Sequence, residues 1–570
     1  MAIKRQEAEV IRGGCKLRAP SDGQYVQNMV FENDAWHVRK GFGQVVQFDT
    51  TLSAFSTDDS SSLRWGYDEC LGSELLVTDF GHRQMVSVFS ANVRATNVAK
   101  NEAGYQSRRS DFRKVYLVNI YDLDTGSRWE EPLYLHTSEN TSEYGKARDM
   151  QYWHAHYETN AEEDYQRWVS VVDPVPFSFA AVGGFLYFGN PDTGLYVYTP
   201  ATFRHSKRRG SNTRVSKNLR QQQLDTAAVK PWAAPYGESA IIQKAVATQA
   251  AGFSGISYLP QGLFPKPYAL AAFTEISGKS LVYVAADRRT IHFSQPGHPT
   301  AIPLSGNSLT FSGSELITAV AEQAGNLVIW TENTTWYFTP APGFSKADTQ
   351  KGARLVQISD SAGCTSQASV TKGAGFGTLY WMDKRGCYVA SGRMSVQQIS
   401  ADIDTFFSSY VTNPLISYSP LFPGHVKAPG GSGDIYAQAR TTLKFSEEGV
   451  SATYWPEKRL TLFTVPNMHM TLVWHEDTKQ WAFWNYESIV TQDSDADDAV
   501  AIAAVTRNIN SPELIGSGSG LYLVGGIDTA DGVLENQIEQ GDDGSRESAY
   551  DFTSRSAYIL QYGRGGGVDR

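Results

Sequence analysis

A short unit recurs along this chain, two β-prone runs around a polar or glycine-containing turn, and the recurrence constrains the fold more than any other feature. The clearest copies lie between Leu316 and Val389. Leu327-Val-Ile-Trp330 and Thr335-Trp-Tyr-Phe338 flank the polar segment Thr331-Glu332-Asn333-Thr334. Arg354-Leu-Val-Gln-Ile358 leads into the corner Ser361-Ala-Gly-Cys364. Thr378-Leu-Tyr-Trp-Met382 reaches Cys387-Tyr-Val389 through Asp383-Lys-Arg-Gly386. Aromatic and β-branched residues bounded by Asp, Asn, Gly and Lys mark antiparallel strands joined by tight turns. No helical period competes with that reading.

The same design appears on both sides of this block. Leu75-Leu-Val77 and Met85-Val-Ser-Val-Phe89 flank Asp79-Phe-Gly-His82, and Val115–Tyr121 precedes the turn Asp124-Thr-Gly126. Phe185-Leu-Tyr-Phe188 and Leu195-Tyr-Val-Tyr198 flank Asn190–Gly194, with Gly183-Gly184 as the turn before them. Leu281–Val284 and Thr290–Phe293, then Leu472–Trp474 and Trp481–Trp484, repeat it, and Gly520–Val524 is a further strand. Unit starts near 281, 327 and 379 are spaced by roughly fifty residues, the period of a four-stranded blade. Units that cannot bury their faces alone must stack, and radial closure leaves few exposed edges. The expectation is an all-β protein, a β-propeller of about six blades with extra loops or small β insertions. A β-sandwich array is the alternative.

The chain divides into an N-terminal extended segment and linker (1–62), early propeller hairpins (63–137), a polar-aromatic insertion (138–168) and a hairpin (169–200). A basic insertion and connector (201–260), the main blades (261–526) and a C-terminal segment (527–570) follow.

Composition supports a sheet-built globular protein: 29 Tyr, 27 Phe and 13 Trp can bury large areas, and 50 Gly supply turns. The net charge of -10 opposes a surface devoted to gripping nucleic acid. Cys15, Cys70, Cys364 and Cys387 show no zinc or redox spacing, and Cys364 and Cys387 read as buried free thiols in a reducing compartment. The charged N-terminus lacks the apolar core of a secretory signal, and no apolar run approaches the ~18–20 residues of a membrane span, so the expectation is a soluble chain.

The candidate chemistry is sparse. His154 and His156 share a strand face, but no third metal ligand accompanies them. Asp493, Asp495, Asp497 and Asp498 open like a calcium loop, yet the sixth and twelfth places hold Asp498 and Ala504 instead of Gly and Glu, so an acidic surface loop is expected. Asp124-Thr-Gly126-Ser-Arg-Trp129 approximates a sialidase Asp-box, a structural turn, with only Asp477-Thr-Lys-Gln-Trp481 as a weaker second copy. Nucleophile-elbow, phosphate-loop, zinc-protease and dinucleotide fingerprints are absent. The expectation is no catalytic residue, no metal and no cofactor. One charge anomaly stands out: Arg204, Lys207, Arg208, Arg209, Arg214, Lys217 and Arg220 form a basic run without an acid. Few aromatics interleave with it, which favours an acidic protein partner or neighbouring subunit over a nucleic acid.

The central block resembles the propeller core of tail nozzle (tail tubular) proteins of short-tailed bacteriophages. The residues that carry this are Ile317–Gln323, Asn326–Asn333 and Trp336-Tyr-Phe338, then Gly363-Cys-Thr-Ser366, Ser369-Val370 and the Trp381–Tyr388 hairpin. Upstream, Ile291–Pro299 continues the likeness, and Arg39-Lys-Gly-Phe42 is similar to an early Arg-Pro-Gly element, with Lys40 in the proline place. The resemblance covers about 270–400, with the N-terminal strands more distantly similar. It implies a hexameric ring in the virion tail, assembled in the host cytoplasm. Such a ring sits below the portal and adaptor, contacts tail fibres, and encloses the channel through which double-stranded DNA leaves without sequence-specific binding. An acidic channel wall, with Asp493–Asp498 as contributors, would let phosphate slide past. The alternative function is a carbohydrate-active propeller, sialidase-like or a depolymerase, and a lectin-like propeller is a third reading. Trp330, Trp336, Trp381 and Trp481 are expected to be mostly buried between strands or blades.

Overall fold

In the computed structural model the described residues are strand segments between 22 and 135 with 148–149, then 174–200, 241–247, most of 257–339, 353–407 and 445–485, and the strands 502–506, 514–517, 520–527 and 558–563. Six four-stranded units account for most of them, and the chain is a six-bladed β-propeller. Blade 1 comprises Ser178–Val182, Phe185–Asn190, Gly194–Thr199 and Ile241–Lys244. Blade 2 comprises Pro267–Glu275, Gly278–Ala285, Thr290–Phe293 and Ser308–Thr310. Blade 3 comprises Ile317–Gln323, Asn326–Thr331, Thr335–Thr339 and Arg354–Ser359. Blade 4 comprises Val370–Lys372, Thr378–Asp383, Gly386–Ser391 and Val396–Gln398.

Blade 5 comprises Ser451–Trp455, Leu460–Val465, Met470–His475 and Gln480–Asn485, and its sheet continues through Asp22–Gln27 to Tyr558–Gly563. Blade 6 takes Ile502–Thr506, Leu514–Ser517 and Gly520–Ile527 from late in the chain and Gly41–Gln47 from its start. Both ends of the sequence are thus tied into shared sheets, which hides strand edges that would otherwise pair with other chains.

The residues group into two compact units. One is Gln47–Val370 with Gly516–Gly520; the other is Met1–Val46, Thr371–Ile515 and Leu521–Arg570. In the first, blades 2 and 3 share a core in which Phe273, Val282, Ile291 and Phe293 meet Ile317, Val320, Leu327, Ile329 and Phe338. Burying each such side chain fully contributes about 1.5–3 kcal/mol. The run Asn326–Thr331 is buried at every position, whereas the outer strand begins with four exposed residues, Arg354 to Gln357. This gradient explains why inner strands read as continuous apolar runs instead of alternating ones. In the second unit, blade 5 builds its core from Trp455, Leu462, Phe463, Leu472, Trp481, Phe483 and Trp484, joined by Tyr380 and Met382.

The turns follow the sequence. Gly183 and Gly184 form the two-residue link inside blade 1, with φ of 62° and 79°. Ala324 and Gly325 form the equivalent link in blade 3, with φ of 50° and 77°. Positive φ at both central residues is the geometry whose twist matches that of the flanking strands.

The early hairpins differ from expectation in length. Leu75–Val77, Met85–Phe89 and Val115–Tyr121 are the ends of strands Ser61–Val77, Arg83–Lys100 and Gln106–Asp122, of 17, 18 and 17 residues. They lie in a six-stranded sheet with Ser53–Asp58, Leu133–Leu135 and Arg148–Asp149. Only their apolar ends could be read from the sequence; the remaining pairing, from Asn92↔Lys114 to Lys100↔Gln106, runs through mixed and largely polar sequence. The apolar ends pack on blade 1, where Leu71, Val86, Val88, Tyr116, Val118 and Ile120 meet Phe177, Leu186, Phe188, Tyr196 and Tyr198.

Candidate functional site

At three places among the described residues, a set of polar side chains ties one strand–turn–strand unit to a neighbouring element. The first is the Thr331–Thr334 turn of blade 3. Its polar residues converge on Glu315. Thr331 Oγ1 donates a very short hydrogen bond to Glu315 Oε2, Thr334 Oγ1 donates to the same oxygen at 3.1 Å, and Asn333 Nδ2 donates to Oε1 at 3.2 Å. Trp336 Nε1 donates to Thr334 Oγ1 at 2.8 Å, so the half-buried indole is fixed to the same turn. Burial alone would raise the Glu315 pKa; hydrogen bonds from Thr331, Asn333 and Thr334 outweigh it and hold the carboxyl below its ordinary value.

The corner Ser361-Ala-Gly-Cys364 closes against this turn. Cys364 N donates to the Thr331 carbonyl at 3.1 Å, and Thr335 Oγ1 donates to the Ala362 carbonyl at 2.5 Å. A Cβ on Gly363 would lie 2.3 Å from the Glu332 carbonyl oxygen, so only glycine fits there. On the blade 2 side, Arg288 has φ of 56°, donates through Nε to the Ile317 carbonyl at 3.0 Å, and lies 4.5 Å over the Tyr268 ring.

The second place is the Asn190–Gly194 turn of blade 1. Asn190 Oδ1 accepts the amides of Asp192 and Thr193 at 3.1 and 2.8 Å, while its Nδ2 donates to the Val175 carbonyl at 3.0 Å. Tyr116 of the long-stranded sheet donates to Asp192 Oδ2 at 2.6 Å and accepts the Val175 amide at 3.1 Å. Burial, then the bonded Asp192 carboxylate, push the Tyr116 phenol far above its ordinary pKa.

The third place, in the other unit, is centred on Glu476. Tyr380 of blade 4 and Tyr454 of blade 5 lie 6.1 Å apart with rings inclined by 7°, and donate to Glu476 Oε1 at 3.0 Å and Oε2 at 2.5 Å. Arg459 reaches the same carboxylate at 3.4 Å and Asp477 at 2.6 Å. This tyrosine–glutamate–arginine set is the nearest approach to a catalytic constellation among the described residues. Yet burial first, and then Glu476, raise both phenol pKa values strongly, so the hydroxyls stay protonated as donors and are not primed as nucleophiles. No sequence spacing could have paired Tyr380 with Glu476, which are 96 positions apart.

Trp330, Trp381 and Trp481 are buried, and Trp336 is partly so. Trp481 follows the Asp477–Lys479 turn and donates Nε1 to the Ile399 carbonyl at 2.9 Å, a packing role in keeping with its Asp-box-like surroundings. Cys364 and Cys387 are buried and not in disulfides. The basic run Arg204, Lys207, Arg208, Arg209, Arg214, Lys217 and Arg220 lies outside the described residues, as do Asp493, Asp495, Asp497, Asp498, His154, His156 and the Asp124–Trp129 turn. Among the described residues no group of three or more His, Cys, Asp or Glu is placed to hold a metal ion, and no helix is long and apolar enough to cross a membrane.

No family model matches the chain. No curated protein matches it either. Solved structures similar to it include U3-55K, at 8% identity over 84% of this chain and 100% of that one, with a TM-score of 0.34. The RRP9 WD40 repeats are similar at 7% identity over 84% and 99%, with a TM-score of 0.35. Apo AztD from Citrobacter koseri is similar at 10% identity over 63% and 93%, with a TM-score of 0.26.

Proposed function

We propose that this chain is a structural virion protein of a short-tailed phage, a ring-forming tail nozzle that encloses and gates the DNA exit path below the portal and adaptor. Three lines support the reading. The block resembling nozzle propellers, Ile317 to Tyr388, is built of the strands of blades 3 and 4. Thr331, Asn333, Thr334 and Gln367 within it serve as internal braces, which suit a rigid wall more than a reacting site. The observation that carries ring assembly is the outer strand of blade 3, where Leu355 and Val356 are 36% and 37% exposed on an edge strand. An exposed apolar edge is a template for pairing with another chain. In a hexamer each subunit would offer one such heterologous contact, and the ring would close.

The basic run Arg204–Arg220 would face an acidic neighbour, either a subunit or the adaptor ring, with tail fibres as further partners. The acid excess of the chain suits a lumen that DNA crosses without sticking. Native mass measurement of the full chain tests the reading: a hexamer supports it, and a monomer that cleaves a polysaccharide would favour the carbohydrate-active alternative. Reversing Arg208 and Arg209 to Glu is expected to weaken assembly in a salt-sensitive way. Normal assembly with lost DNA binding would point to the genome instead.

A further inference from the structure

The strands Met29–Glu32 and Ala35–Val38 form a two-stranded sheet of their own, inserted between Asp22–Gln27, which joins the blade 5 sheet, and Gly41–Gln47, which joins blade 6. An isolated two-stranded hairpin is marginal in water and needs packing to persist. Here that packing comes from Val30 and Trp36 against the blade 5 core. Trp36 meets Phe31 edge-on at 5.2 Å and, on the blade, meets His475 edge-on at 5.4 Å. His475 is 3% exposed, and its Nε2 is buried with no hydrogen-bond partner among the described residues. A neutral imidazole is tolerated in such a place, whereas an imidazolium there lacks both solvent and a counter-charge.

Among the described residues the neighbouring carboxylates are engaged elsewhere. Glu476 is engaged by Tyr380, Tyr454 and Arg459, and Asp477 by Arg459. Across the strands His475 faces Leu460 and Gln480, and Lys479 approaches it through a backbone bond to its carbonyl. The hairpin's own ionisable residues are Glu32, Asp34 and His37.

We propose that His475 is an acid-sensitive latch: protonating it undocks Trp36 and releases the Met29–Val38 hairpin from blade 5, while the flanking strands stay paired. Burial pushes His475 down to about 4, so the docked form binds its proton less readily than the open form does. Docking is therefore fully favoured above the ordinary imidazole value and weakens as pH falls from about 6.5 towards 4. Between pH 7 and pH 5 the opening equilibrium should rise roughly twentyfold.

Hydrogen exchange of the full chain, followed by mass spectrometry and corrected for intrinsic rates, tests this. Peptides covering Met29–Val38 are expected to lose protection by that factor between pH 7 and pH 5, while peptides over Asn326–Thr331 keep theirs. His475→Gln, with His475→Leu as a second variant that keeps the site apolar, should abolish the pH dependence, and His37→Gln should leave it intact. Hairpin protection that does not change with pH would overturn the proposal. So would an acid loss that persists in both His475 variants, one removed by His37→Gln, or one shared equally by all blades.

Discussion

The side-chain amide of Gln367 pairs with both backbone groups of Val320: Oε1 accepts the Val320 amide at 2.8 Å, and Nε2 donates to its carbonyl at 2.9 Å. One glutamine thus stands in for a strand partner on the innermost strand of blade 3. Gln367→Ala would strand two backbone groups and is expected to lower stability by about 1–3 kcal/mol. Gln367→Glu should cost more at neutral pH, because a carboxylate cannot donate to the carbonyl. Denaturant unfolding measures both, and a Gln367→Glu variant as stable as the parent protein would show that the donor half is idle.

Trp381 is fully buried and stacks on Tyr388 at 5.7 Å. Its replacement by Ala should destabilise the protein by about 3–5 kcal/mol, the range for a large aromatic removed from a packed core. An unchanged melting curve would contradict the packing described.

Several tyrosines are held protonated by burial, among them Tyr187, pushed up to about 12. A folded pKa above the unfolded value gives stability that is complete below pH 10 and lost as pH rises beyond it. For Tyr187 that loss amounts to ~2 kcal/mol by pH 12. Ultraviolet titration should therefore show a tyrosine fraction that ionises only as far-ultraviolet circular dichroism is lost. Ionisation of every tyrosine near pH 10 with the sheet signal intact would contradict this.

The exposed edge of blade 3 gives a test of assembly separate from folding. If the proposed ring assembles through this edge, Leu355→Glu combined with Val356→Lys should dissociate it while leaving the melting temperature within a degree or two, as expected of surface changes. A double variant that still assembles would move the subunit contact elsewhere.

Much of the fold was legible because propeller strands announce themselves locally. Leu327–Trp330 and Thr335–Phe338 are neighbouring strands on either side of the expected turn, with Leu327 opposite Phe338 and Trp330 opposite Thr335. Gly183 and Gly184 formed the turn their sequence suggested. What sequence could not supply were the couplings between units. Glu315 lies outside the turn it organises, Tyr380 meets Glu476 only after folding, and His475 meets Trp36 across more than four hundred residues. Such contacts depend on which loops the topology brings together, and no local pattern encodes them. Strand length in the 61–122 sheet was hidden for a different reason: polar runs such as Arg108–Arg113 pair through backbone, and composition does not mark them.

The most direct test of the central claim is electron microscopy of the purified full-length protein. Closed rings of six subunits around an open channel are the expected result, with more acidic than basic side chains on the channel wall. Uniformly monomeric particles over the micromolar range, with no ring in any class average, would contradict it.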